Sequence, residues 1–577
     1  MKLSLLTAIF LITASFAQAK DRYLVVFKSQ QGQKAMETYF RTESAAPRAL
    51  MQKSLRYTRT LVVKTKDASL IASLKNHPEV AVVEAEYFTP VPKPVNGFTM
   101  ARMNHKMSRP VQAMELSEPG SDASGNVPKF IQGDATPWGI LAVNAGGAWE
   151  SSNAGANARV LVLDTGIDAG HPTIQPNFEQ GKNFVEGSDG EINAADYVDV
   201  EGHGTHCSGT ILGAYNEKTG FTGVAPKAKL LMGRVCGLEG CSSIAVIEGI
   251  NWGIEQKVDV ISMSLGGPMT SLAQNNAALA AEAAGVVVVA ASGNSATEPT
   301  YSYDKTKSQC ESNNPFRPVM CGVGFPAALE TVVAVGAIDI KLTKTNFSQW
   351  GPELDVTAPG SAVISSVPRG TGRDSHVELT TGGVTKFVKS AAFSGTELFT
   401  TPLKNAIVLV PGLGKPEEFA QVNVAGKFAL VSRGEIYFSE KVKNAVAAKA
   451  AGVIIYNNVE GLMSGQVAEG ELLNLPVVMI ELTEALALIE QMKSGATASA
   501  SIGTIATDYT SFDGTSMAAP HVAGVVALIK SANKKLTPAQ VREILKATAK
   551  PLIPNDTNQF GAGVVQADKA VTAALAR

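Results

Sequence analysis

The chain has 577 residues, too many for one hydrophobic core, so several domains are expected. Its formal net charge is −2, which excludes the strongly basic footprint of a nucleic-acid-binding protein. The charge is uneven: residues 20–95 hold 13 Lys+Arg against 7 Asp+Glu, which leaves an acidic body of net −9 over residues 96–577.

In chain order, residues 1–19 read as a secretory signal: Lys2, an apolar run from Leu3 to Phe16, then Ala17-Gln18-Ala19. Export to the medium or to a periplasm is expected, with no membrane anchor left after cleavage. Residues 20–95 alternate strand-like and helix-like runs. Strands are expected at 23–27, 60–64 and 80–84, and helices at 34–42 and 68–75. That βαββαβ-like order suggests a small open-faced sandwich. Residues 96–134, rich in Pro, Gly, Ser, Asn and Met, read as a linker.

Residues 135–371 and 505–577 carry an α/β pattern. Near-continuous apolar runs at 160–163, 229–232, 258–263, 286–291 and 331–335 alternate with helix-like segments. Such runs imply a parallel sheet covered on both faces. Residues 372–504 interrupt this pattern with strand-like runs at 406–410, 427–434 and 452–458 and a helix from Phe438 to Ala451. Thr537-Pro538 starts a further helix well, because threonine caps and proline suits the first turn.

Several residues within this frame have the chemistry of a site. Leu161-Val162-Leu163-Asp164 is a buried strand ending in a carboxylate. Gly202-His203-Gly204-Thr205-His206-Cys207 places an imidazole among small residues. Gly514-Thr515-Ser516-Met517-Ala518 sets a serine at the start of an apolar helical run. A serine hydroxyl is a poor nucleophile until a base removes its proton, and a helix N-terminus favours developing negative charge. The five cysteines fit an exported protein with two local disulfides, Cys236–Cys241 and Cys310–Cys321, and a free thiol at Cys207. The spacing does not fix this connectivity.

Asp164-Thr165-Gly166, His203-Gly204-Thr205-His206 and Gly514-Thr515-Ser516-Met517-Ala518 resemble the three motifs of subtilisin-like serine proteases, in that family's chain order. Cys207, directly after the second histidine, resembles the proteinase K variant. The resemblance implies that Ser516 is the nucleophile, His203 the general base and then acid, and Asp164 its orienting carboxylate. It also implies that Asn294, after the strand run 286–291, donates to the oxyanion. Ser264-Leu265-Gly266 resembles one wall of the primary specificity pocket, Gly293 belongs to the opposite wall, and Gly324 matches the floor. Gly240 belongs to the edge that pairs with extended substrate. A glycine at the floor implies preference for a bulky apolar residue before the cut. Residues 20–95 resemble the family's inhibitor prodomain, with maturation in 96–134, and residues 372–504 resemble a protease-associated domain. The resemblance thus implies a secreted, autoprocessed serine endopeptidase acting on proteins and peptides, expected as a monomer and needing no cofactor for its chemistry.

Calcium stands open. The ligand that the family often has after His171-Pro172 is replaced by Thr173, while Asp196, Asp199 and Glu201 form an acidic cluster before His203. Two other functions compete. An inactive scaffold using residues 372–504 to bind protein would not need the catalytic set. A lipase or esterase would need a Gly-x-Ser-x-Gly elbow, and Ser516 lies in Gly-Thr-Ser-Met-Ala.

Overall fold

The structure, a computed structural model, describes residues 21–42, 51–91, 136–187, 191–216, 220–296, 322–458, 462, 467–468 and 472–577. The expected signal segment, the linker and the Cys310–Cys321 pair lie outside the described residues.

The N-terminal unit is β1 (Arg22–Phe27), α1 (Gln30–Thr42), β2 (Met51–Leu55), β3 (Thr60–Lys64), α2 (Ala68–Asn76), β4 (Val80–Ala85) and β5 (Phe88–Thr89). Its sheet runs β2-β3-β1-β4, all antiparallel. Successive side chains on a strand point to opposite faces. Accordingly, Val25 and Phe27 of β1 pack with Met36 and Phe40 of α1, while Leu24 and Val26 join a core that belongs to the main body. The open face of the sandwich is thus closed by the body. Full burial of such a side chain contributes about 1.5–3 kcal/mol.

Charge follows the same seam. Arg22 is buried against Glu186 at 2.9 Å, and Lys53 pairs with the buried Glu248. The Glu84 carboxylate accepts from the backbone N–H groups of Leu272 and Ala273, at the N-terminus of a body helix. Anions are stabilised at that end of a helix.

The body contains β6 (Arg159–Asp164), β7 (Phe178–Asn183), α3 (His203–Leu212), β8 (Lys229–Arg234), β9 (Cys236–Gly237), β10 (Gly240–Ser242), α4 (Ser243–Glu255), β11 (Val260–Met263), α5 (Leu272–Ala283), β12 (Val287–Ala291), β13 (Val332–Ile338), β14 (Val356–Pro359) and β15 (Val363–Ser366). Seven strands form one parallel sheet, β14-β13-β12-β11-β6-β8-β7. Val160 and Val162 of β6 enter the core on one face, and Leu161 and Leu163 the core on the other. The continuous apolar runs follow from this burial on both faces.

The insertion supplies β16 (Gly372–Thr381), β17 (Val384–Val388), β18 (Ser390–Ala392), β19 (Leu403–Leu409), β20 (Phe428–Ser432), α6 (Phe438–Ala447), β21 (Gly452–Tyr456), β22 (Val477–Ile480), α7 (Leu482–Lys493) and β23 (Ala498–Thr507). These strands make an eight-stranded sheet, β17-β16-β23-β19-β20-β21-β22-β18, with its own cores. β16 begins at Gly372, and β23 runs on to Thr507, because it pairs with β16 as far as Thr507–Gly372.

β24 (Tyr509–Phe512) returns the chain to the body beside β15. It leads into α8 (Thr515–Ala532), whose residues are buried on every side save Ala532. A helix that is apolar all round is a core helix. α9 (Pro538–Thr548) begins with a capping box between Thr537 and Gln540, and α10 (Ala567–Leu575) closes the body.

Candidate active site

Asp164 is the last residue of β6 and is fully buried. The C-terminal ends of parallel strands are where open α/β sheets place their sites. His203 is the first residue of α3 and faces it. Its Nδ1 lies 2.8 and 3.0 Å from the two Asp164 carboxylate oxygens. A carboxylate only accepts, so this contact assigns the proton to Nδ1. Burial disfavours the imidazolium, but the Asp164 carboxylate overrides it and holds the His203 pKa well above the usual imidazole range. His203 Nε2 is buried and has no partner among the described residues.

The close approach of these two segments depends on a glycine. A Cβ on Gly204 would stand 2.2 Å from the Gly166 carbonyl oxygen. The approach is fastened by Asp199. Its carboxylate accepts from Thr165 Oγ1 at 2.9 Å, from the Gly202 amide at 2.7 Å and from the Thr205 amide at 2.8 Å. It therefore ties the residue after Asp164 to the first turn of α3.

Ser516 is the second residue of α8 and 5% exposed. Its Oγ donates to the Ser264 carbonyl at 3.0 Å, and Ser264 Oγ donates to the Ser516 carbonyl at 2.8 Å. Pro520 explains why that carbonyl is open. In a helix the Ser516 oxygen awaits the amide four residues on, and proline has none. Cys207 Sγ also reaches this oxygen, at 3.4 Å, and lies 3.7 Å from His203 Nδ1. Cys207 is free and buried, and burial raises its pKa, so it is a thiol.

Asn294 follows β12. Its Oδ1 accepts from the Thr515 amide at 2.9 Å and from Thr515 Oγ1 at 2.8 Å. With Oδ1 engaged, the donor end Nδ2 faces Gly514, where a Cβ would stand 3.4 Å away.

The expected wall segments converge. Gly324 N donates to Ser292 O at 2.8 Å, and Gly267 and Phe325 exchange backbone hydrogen bonds at 2.9 Å each. Residues 264–267, 292–293 and 324–325 are thereby laced together. Cys236 and Cys241 face each other across β9 and β10 and are disulfide-bonded. Gly240 lies in β10, whose outer edge is occupied by β5 of the N-terminal unit, with Thr89 opposite Cys241 and Phe88 opposite Ser242.

The residues considered as metal ligands are dispersed. Asp196 pairs with Arg234 at 3.0 Å, while Asp199 is consumed by the contacts above, so the acidic cluster does not converge. His206 Nε2 lies 3.0 Å from Val363 O, its ring stacks on Phe512, and burial lowers its pKa to about 3. Thr173 Oγ1 is spent on Ser366 Oγ at 2.8 Å and on His171. Among the described residues, the one clustered set with ligand chemistry is Asp164, His203 and Cys207.

The model of the subtilase family matches residues 155–396, and that of the PA domain matches residues 390–488. An intracellular serine protease of Paenibacillus polymyxa is 33% identical over 296 residues, covering 50% of this chain and 78% of that one. Subtilisin E of Bacillus subtilis is 31% identical over 360 residues, covering 62% of this chain and 76% of that one. The chain belongs to the subtilase family. A solved structure agrees: a psychrophilic subtilisin-like protease from the Antarctic psychrotroph Pseudoalteromonas sp. AS-11 matches with TM-score 0.53 and 27% identity, over 76% of this chain and 97% of that one. This subtilase is therefore a subtilisin-like serine endopeptidase carrying an inserted PA domain.

Proposed function

We propose that Ser516, His203 and Asp164 are the catalytic triad of this subtilase and that Asn294 completes its oxyanion hole. The observation that carries the reading is the buried Asp164–His203 contact at 2.8 Å, placed at the end of β6 with Ser516 opening α8. In this reading Ser516 Oγ leaves the Ser264 carbonyl, gives its proton to His203 Nε2 and attacks the substrate carbonyl. Asp164 stabilises the imidazolium, and His203 then protonates the leaving amine. The Ser516 N–H and Asn294 Nδ2 hold the oxyanion. The chemistry uses protein groups alone, and calcium, where bound, has a structural role. The glycine at 324 favours a bulky apolar residue before the scissile bond.

The N-terminal unit is, in the same proposal, an intramolecular inhibitor, and the enzyme is an autoprocessed zymogen. Support comes from β5, which pairs antiparallel with β10 where extended substrate is expected. The apolar segment at residues 3–16 and the Cys236–Cys241 bridge favour a secreted or periplasmic enzyme; the enzyme is read as a monomer acting on proteins and peptides. The PA domain is proposed to govern access of large substrates.

Expression of the full chain with Ser516→Ala tests this. The variant should stay unprocessed and lose roughly 10⁶ in kcat, as subtilisin does when its nucleophile is removed. Normal processing of that variant in a host without other proteases would refute autoprocessing by Ser516.

A further inference from the structure

Gln349 lies 55 positions from Asn294 in the chain and belongs to none of the motifs. It is 1% exposed, and all four of its hydrogen-bonding groups are directed at the segments that flank Asn294 and the pocket floor. Its backbone N–H donates to Gly293 O at 2.9 Å, and its carbonyl accepts from Ser292 Oγ at 3.0 Å. Its side-chain Oε1 accepts from the Ser295 amide at 3.2 Å, while Nε2 donates to the Gly322 carbonyl at 2.9 Å. Residues 293 and 295 on either side of Asn294 are therefore both held by one residue, which also reaches Gly322, in the turn leading to Gly324.

The fit is steric as well as polar. Gly293 has φ +109°, in the region that favours glycine, and a Cβ there would stand 2.0 Å from Gln349 Oε1. The glutamine fills the space that the missing side chain leaves. A Cβ on Gly324 would lie 3.9 Å from Gln349 Nε2. A primary amide suits the position because it offers an acceptor to one segment and a donor to the other. A carboxylate of the same shape would face the Gly322 carbonyl without a proton to give.

We infer that Gln349 is a positioning residue for the hydrolytic reaction: by holding Gly293 and Ser295 on either side, it fixes Asn294. The inference rests on the oxyanion role proposed for Asn294. Asn294 holds the transition-state charge and Gln349 acts through it, so the two should behave as one unit rather than as independent contributors.

The test is a double-mutant cycle with the mature enzyme, using Gln349→Met, which keeps length and removes both side-chain bonds, together with Asn294→Ala. With a short peptide substrate, Gln349→Met should lower kcat by about 10²-fold with little change in KM, the scale expected of a catalytic donor shifted by about 1 Å. In the Asn294→Ala background the same substitution should change kcat less than about twofold. Should Gln349→Met fail to fold, Gln349→Glu keeps the volume and the bond from Ser295 and enters the cycle in its place. An unchanged kcat in the single variant, or the same loss in both backgrounds, overturns the inference. Loss of kcat in Asn294→Ala alone checks the underlying reading: if that variant is fully active, the oxyanion assignment falls, and the inference with it. Full additivity beside an impaired Asn294→Ala removes only the role of Gln349.

Discussion

Ser264 and Ser516 exchange hydrogen bonds: each hydroxyl donates to the other's backbone carbonyl, at 2.8 and 3.0 Å. The first bond satisfies a helix carbonyl that Pro520 leaves open, and the second parks the Ser516 hydroxyl away from His203. The end of β11 is thereby fastened to the start of α8. Ser264→Ala removes the donor to a buried carbonyl, which costs about 1–3 kcal/mol. Denaturant unfolding of the Ser516→Ala background, which lacks the proposed nucleophile, should show that loss. An unchanged unfolding free energy would mean that Cys207 suffices as donor.

In the proposed triad His203 is the general base, and the acid limb of the pH–rate profile reports it. As general base it must be neutral, and its pKa is raised, with the Asp164 carboxylate outweighing burial. Activity should therefore fall as pH drops through a midpoint above about 6.5, the ordinary imidazole value. Asp164→Asn should cut kcat by about 10⁴ while leaving the fold intact, since the imidazole loses its orienting partner. A midpoint below the ordinary value in the wild-type kcat/KM profile would contradict the assigned pair.

Cys207 sits one turn along α3 from His203, with Sγ 3.7 Å from Nδ1. Buried as a thiol, it should react slowly with bulky reagents. Small mercurials should inhibit by displacing the imidazole, and Cys207→Val should keep activity and lose that sensitivity. Equal inhibition of Cys207→Val by a small mercurial would place the reactive group elsewhere.

The parts of the site that sequence makes legible are those with a strong local signature. Asp164, His203 and Ser516 each sit among small residues beside an apolar run, and Cys236 and Cys241 bracket a short turn only 5 positions apart. β2, Met-Gln-Lys-Ser-Leu, has no apolar alternation and is not legible. β7, at the sheet edge with Asn183 alone buried, is hidden in the same way. Asp199 reads as one acid of a polar loop, because the hydroxyl of Thr165 that engages it lies 34 positions away. Gln349 escapes for the same reason. Gln349 follows β13, and it meets its partners only when that segment lies against the segments after β12 and before β13.

Covalent labelling identifies the nucleophile, which is Ser516 in the proposed triad. The processed enzyme treated with a fluorophosphonate should lose all peptidase activity in step with one adduct. Mass spectrometry of its fragments should place that adduct on Ser516. Complete inactivation with Ser516 unmodified and the label on another serine would contradict the claim.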